Sequence, residues 1–227
     1  MRVILCSALI VLAAALAGCG SSHPSSNGEA DKTVAQILAD AQAATATATS
    51  VHITGSGLSD SAPLALDLRL VAGKGGTGQI TAEGLTFNII RIGGKAYFKG
   101  NSAFWRHFGG AGAVQLLKGR WLEAPATKGD LSSFTPLTDL GKFTKTLLGS
   151  HGTLKKGLET KIDGQPAIAI VDKSGGGTLY VATTGSPFPI ELTKGAGSKG
   201  KIAFDEWNQA VALAAPKNAV DYTKLKG

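Results

Sequence analysis

Two cysteines, four histidines and two glycine-rich runs are the places in this 227-residue chain where residue type and spacing could do chemistry. The histidines, His23, His52, His107 and His151, are scattered rather than set at the spacing of metal ligands. No Gly-x-Ser-x-Gly nucleophile elbow occurs, so no local motif points to a hydrolase. Gly73-Lys74-Gly75-Gly76-Thr77-Gly78 has the glycine spacing of a dinucleotide loop. Such a loop must open a helix whose N-terminus binds pyrophosphate, whereas Gln79-Ile80-Thr81-Ala82 reads as a strand. Gly195-Ala196-Gly197-Ser198-Lys199-Gly200-Lys201 resembles a phosphate loop, then offers Ile202 where a Mg²⁺ ligand needs a hydroxyl. Both runs are expected to be turns between strands. The chain is expected not to be an enzyme, and neither a cofactor nor a metal is expected.

Cys19 is the cysteine with a chemical context. Met1 and Arg2 precede an apolar run from Val3 to Ala15, and Leu16, Ala17 and Gly18 follow. One positive charge, a short apolar stretch and small residues at the end make an export signal. The run is too short for a spanning helix, which needs about 20 apolar residues. Leu16-Ala17-Gly18-Cys19 resembles the bacterial lipobox, in which the thiol is joined to diacylglycerol and the chain is cut just before it. Cys6 leaves with the signal, and the remaining sulfur carries the lipid. No disulfide, thiolate nucleophile or cysteine-bound metal is then available. The expected location is the outer face of the cell membrane, in the envelope.

Three regions follow: residues 1–18 as signal, residues 19–30 as lipidated cysteine and flexible tether, and residues 31–227 as one domain. Gly20 to Ala30 is small, polar and broken by Pro24, the composition of a disordered linker. The domain is large enough to bury a core without disulfides. The net charge is +7. An exported protein seldom meets nucleic acid, so none is expected as a partner. Anionic headgroups are the natural counterpart, each basic group near them being worth about 1 kcal/mol. Lys142, Lys145, Lys155, Lys156 and Lys161 make a locally basic stretch, read either as a docking surface for headgroups or as a solvated face.

The elements that must position any site come next. Between Asp31 and Ala48, Val34, Ile37, Leu38 and Ala41 fall on one helical face. After Ser50 the period changes to two. In Leu64-Ala65-Leu66-Asp67-Leu68-Arg69-Leu70 four leucines face one side, with Asp67 and Arg69 on the other, as in a half-buried antiparallel strand. Similar alternation marks Gln165 to Asp172, Thr178 to Ala182, Pro189 to Thr193 and Lys201 to Asp205, with glycine or proline clusters between them. About ten strands are expected. Leu131 to Ser150 reads as a middle helix, with Thr135 as cap, Pro136 at its first position and an apolar stripe from Leu137 to Leu148. Ala111 to Lys118 reads as a shorter helix.

A single sheet of that size must curl or close, and two or three helices are a small cover for its apolar face. The expected fold is therefore α+β: a strongly curved antiparallel half-barrel sheet of about ten strands, with helices across an apolar interior. That interior is either a cavity for an acyl chain or ordinary core filled by side chains. The low aromatic content, 6%, fits open space.

Gly94-Lys95-Ala96-Tyr97-Phe98-Lys99, Gly119-Arg120-Trp121-Leu122, Gly177-Thr178-Leu179-Tyr180-Val181-Ala182 and Phe204-Asp205-Glu206-Trp207-Asn208-Gln209-Ala210-Val211 with Ala215-Pro216 occur in one order along the chain. Over nearly all of the mature chain this resembles the mycobacterial LppX/LprAFG-type lipoproteins, whose half-barrel is similar to the lipoprotein carriers LolA and LolB. The resemblance implies a curved sheet closed by helices around a cavity for the acyl chains of envelope lipids or glycolipids, bound and carried outward. Candidate lining residues are Leu64, Leu66, Leu68 and Leu70 on the strand and Leu140, Phe143 and Leu147 on the middle helix, each of which could equally be core. Expected partners are an acyl lipid or glycolipid, the membrane through the Cys19 anchor, and a membrane transporter. The alternative is a non-catalytic interaction module that positions an envelope transporter or enzyme and uses its apolar interior only as core.

Overall fold

The computed structural model describes residues 25–59, 62–149, 151–195 and 200–225. The segment expected to be an export signal, Cys19, His23 and the middle of the Gly195–Lys201 run lie outside them. Two antiparallel meanders make the sheet. The first runs β1 (Ser50–Ser59), β2 (Ala62–Val71), β3 (Gly75–Ala82), β4 (Leu85–Ile92), β5 (Lys95–Gly100) and β6 (Leu122–Pro125). The second runs β7 (Leu154–Ile162), β8 (Gln165–Asp172), β9 (Thr178–Ala182), β10 (Pro189–Thr193) and β11 (Lys201–Asp205). They join where β1 pairs with β11, His52 opposite Asp205, and the result is one open, curled sheet of α+β type.

Twelve strands, rather than about ten, form this sheet, and it is not wholly antiparallel: β12 (Val220–Asp221) pairs parallel with β6 at one edge. Residues 206–219 carry the chain from β11, in mid-sheet, back to that edge. The four strands read from alternation after Gln165 keep the bounds assigned to them. Hairpins close where turn chemistry allows. Glu83-Gly84 and Asp163-Gly164 both have positive φ at each residue, the geometry of a tight turn matched to strand twist. Both glycine-rich runs join antiparallel strands, Gly73 turning between β2 and β3 and the second run lying between β10 and β11. Gly78 sits in β3 itself, where an added Cβ would fall 2.0 Å from the Asp67 carbonyl oxygen.

Three α-helices cover the inner face. Helix α1 (Val34–Thr47) begins later than Asp31, because Thr33 and Gln36 form a reciprocal capping box. Helix α2 (Ser102–Leu117) is longer than the segment read from Ala111: Asn101 caps it, and Gly110, at φ 70° and ψ −167°, kinks it. Helix α3 (Leu140–Gly149) starts four residues after the proline taken as its first position. Thr135 is not its cap. A 3₁₀ run, Asp130–Thr138, contains Pro136, and the Asp139 carboxylate accepts the Lys142 N–H at 3.0 Å. Arg91 of β4 decides this start from across the fold, donating to Thr138 Oγ1 at 3.0 Å and pairing with Asp139 at 3.3 Å.

The domain also begins before residue 31. Ser26 bridges Thr184, the Asn27 amide donates to the Ala182 and Gly185 carbonyls, and Glu29 is buried beside Lys32 at 2.6 Å. The small polar composition that suggested a tether here supplies hydrogen bonds to the β9–β10 connection instead.

The interior has two main packed regions, beside a small third cluster of Ala167, Ala182 and Ile190. Under the first meander, Val51, Ile53, Leu68, Leu70, Phe87, Phe98, Phe104 and Leu140 form one cluster. Phe87 lies 4.6 Å from both Phe104 and Phe134, ring centre to ring centre. Under the second, Ile37 and Ala41 of α1 pack with Leu148, Ile168, Ile170 and Val181. Most of the packed aromatics are thus concentrated in the first of these regions.

Candidate functional site

A cavity of about 520 Å³ opens between the two packed regions. Its walls are Leu64 and Leu66 of β2, Leu147 and Leu148 of α3, Leu38 of α1, and Ile170, Leu179, Leu192 and Ile202 from the second meander. That volume lies within the roughly 300–1,000 Å³ typical of small-ligand pockets. Glycines help to make it. Gly55, Gly57, Gly175, Gly177, Gly195 and Gly200 all border it and put no side chain into the space. At Gly55 an added Cβ would meet Leu66 Cγ at 2.9 Å, so the glycine gives Leu66 its place in the wall.

The seven candidate lining residues divide. Leu64, Leu66 and Leu147 face the cavity. Leu68, Leu70 and Leu140 are core, at 0%, 0% and 3% exposure, and Phe143 packs against that same cluster. All four strand leucines share one face, but Leu68 and Leu70 are packed into the core cluster while Leu64 and Leu66 border the cavity. Leu38, Leu148, Ile170, Leu179, Leu192 and Ile202 were missed as lining. The alternation of the strand residues and the helical spacing of Leu38 and Leu148 were legible, but not what stands across from them.

The cavity rim is polar. Lys194, Lys201, His151 and Asp172 stand on it. Asp172 accepts backbone N–H groups from Gly152, Ser174 and Gly175 at 2.9, 2.7 and 3.2 Å, and these hold its carboxyl below the usual range. Lys201 reaches the buried Glu191 at 3.0 Å, and that hydrogen bond raises the lysine. Of the basic stretch, Lys142, Lys145, Lys155 and Lys161 are exposed, while Lys156 donates to the Ala30 and Lys32 carbonyls and so ties down the N-terminal strip.

Two other features lie apart from this cavity. On the outer face, His52 Nδ1 is 2.7 Å from Asp205 and its Nε2 3.0 Å from Asp67, tying β1 to both neighbours. His52, Asp205 and Glu206 bring potential ligand atoms within 4.8 Å of one another, a grouping the scattered histidines did not suggest. Glu206 is engaged by Arg69 at 3.2 Å, so these groups already satisfy one another. A smaller pocket, about 180 Å³, lies beneath the α2 kink, walled by Trp105, Phe108, Leu117 and Leu131.

This open, curled sheet with helices over a leucine-walled cavity defines an α+β container fold. It is the fold of two solved mycobacterial proteins. The crystal structure of LprF from Mycobacterium bovis is similar over 85% of this chain and 99% of that one, with 16% identity and a TM-score of 0.58. The crystal structure of the lipoprotein LppX from Mycobacterium tuberculosis is similar over 80% of this chain and 100% of that one, with 18% identity and a TM-score of 0.52. The expected resemblance to the LppX/LprAFG type thus holds at the level of structure. No protein-family model matches the chain, and no curated protein matches it in sequence. No helix among the described residues is long and apolar enough to cross a membrane.

Proposed function

We propose that this chain is an exported lipoprotein, held at the outer face of the cell membrane through acylated Cys19, that binds the acyl part of an envelope lipid or glycolipid in the cavity between its two meanders. The observation that carries the reading is the cavity: about 520 Å³, leucine-walled inside and charged only at its rim. Each methylene moved from water into such a space gains about 0.8 kcal/mol, so a long chain is held without covalent chemistry. Orientation follows from the polar rim, which keeps a headgroup outside. Transfer to a second membrane or to a transporter would use the same contacts in reverse.

The test is native mass spectrometry of the protein purified from an actinobacterial host, with Cys19→Ser removing the anchor, followed by lipid extraction. One acyl lipid per chain, lost on replacing Leu66 with tryptophan, is the expected result. An empty protein whose behaviour is indifferent to that replacement would refute acyl binding and leave the interaction-module reading.

A further inference from the structure

We infer that a groove on the open side of α1 is a second acyl subsite, joined to the cavity past Leu38, so that the hydrocarbon of the cargo lies partly inside the curled sheet and partly along this helix. This inference rests on the acyl-binding reading above and deepens it.

Helix α1 uses more than its core-facing row. Ile37, Ala41 and Thr45 are buried. The adjacent row, Val34, Leu38 and Gln42, and the one beyond it, Ala35 and Ala39, form one side of an open groove. Its other side is His151, Gly152 and Leu154, where the chain passes from α3 into β7. That wall is held in place, the Gly152 N–H by the Asp172 carboxylate at 2.9 Å and the Thr153 N–H by Ser174 Oγ at 3.2 Å. Ala35 and Ala39 are exposed and carry one methyl each, so the helix surface stays low where a leucine would fill the groove.

Groove and cavity share a boundary. Leu38, His151 and Leu154 line both. Leu38 and Leu154 are half-buried and come from different elements, α1 and the start of β7. The route from one space to the other therefore runs between these elements, past two leucines. No Lys, Arg, Asp or Glu lines the groove, whereas the cavity rim carries Lys194, Lys201 and Asp172. Hydrocarbon that outgrows the cavity displaces no solvated charge when it lies along α1, and it stays against apolar side chains instead of entering water.

Tryptophan at two positions of α1 tests this in the purified Cys19→Ser chain. Ala39→Trp fills the groove from an exposed position, and Thr47→Trp adds the same ring at an exposed position beyond it. Binding of palmitoyl-lysophosphatidylglycerol and dipalmitoylphosphatidylglycerol is measured by displacement of a fluorescent fatty acid, with circular dichroism to show that each variant is folded. Ala39→Trp is expected to weaken the diacyl lipid about tenfold and Thr47→Trp to leave it unchanged. A loss confined to the diacyl lipid would put its second chain in the groove, and a loss for both lipids would mean that one chain runs through. In the chain without either tryptophan, a diazirine at the acyl terminus of the diacyl lipid should label the Val34–Gln42 segment as well as β2. Leu66→Trp, in the cavity itself, is expected to weaken both lipids. If it does so while Ala39→Trp behaves as Thr47→Trp, or if the diazirine labels β2 alone, the subsite is overturned and the acyl-binding reading stands. Binding of neither lipid, or indifference to Leu66→Trp, would remove the acyl-binding reading and the subsite with it.

Discussion

Trp207 lies flat on Phe188, ring centroids 4.4 Å apart and planes 5° apart, with its indole N–H donated to the Pro189 carbonyl at 3.1 Å. The pair fastens the segment that leaves β11 to the start of β10. Trp207→Phe keeps the stack and removes the hydrogen bond, for a loss of about 1 kcal/mol. Trp207→Ala removes both, for about 3 kcal/mol. Urea unfolding followed by circular dichroism should separate the two.

Leu66 and Leu68 are two residues apart on one strand face, yet they should respond in opposite ways. Leu68 is fully buried, so Leu68→Ala costs about 3 kcal/mol. Leu66 faces the cavity, so Leu66→Ala costs about 1 kcal/mol and enlarges the space. Paired measurements of Tm and acyl-probe binding check this. Large stability loss at Leu66 with no effect on the probe would mean that it is ordinary core.

Gly110 holds φ 70° and ψ −167°, a region open essentially to glycine alone. Gly110→Ala should cost about 1–3 kcal/mol, read as a lower Tm. Gly112 of the same helix has open space around its Cβ position, and Gly112→Ala should be neutral or slightly stabilising.

Asp172 gives the rim a pH dependence of known sign. Backbone N–H donors depress its folded-state pKa, so its contribution is complete above the unfolded carboxyl value of about 3.9 and is lost as pH falls through the lower folded value. The amide signals of Gly152, Ser174 and Gly175 should stay constant through the ordinary carboxylate range and move only below it. Movement centred at the ordinary value would contradict the three hydrogen bonds.

Lys142 and Lys145 are exposed on the helix whose Leu147 and Leu148 wall the cavity. Replacing both with glutamate should weaken binding to anionic vesicles at low salt and have little effect at high salt, where screening removes the attraction. Sedimentation with phosphatidylglycerol vesicles measures it, and salt-independent binding would rule out an electrostatic dock.

What sequence alone determined here is local and periodic. Alternation placed β8, β9, β10 and β11 at their observed bounds and put the β2 leucines on one face, because a strand's side chains alternate whatever surrounds it. The 3.6-residue spacing of Val34, Ile37, Leu38 and Ala41 marked α1 for the same reason. Features set by distant partners were not legible. Arg91 sets the start of α3 from another strand, two adjacent glycines hid the first half of α2, and the polar strip at Asn27 waits for carbonyls far along the chain.

The cavity belongs to the second kind. Period two tells which way a leucine points, but whether it meets a phenylalanine or an open space depends on what the opposite helix brings. Tertiary structure decided that Leu68 and Leu70 are fully buried in the Phe-rich core while Leu64 and Leu66 face the cavity, Leu66 with its back to that core, because the larger space lies between the α2 half of the sheet and the half covered by α1 and α3.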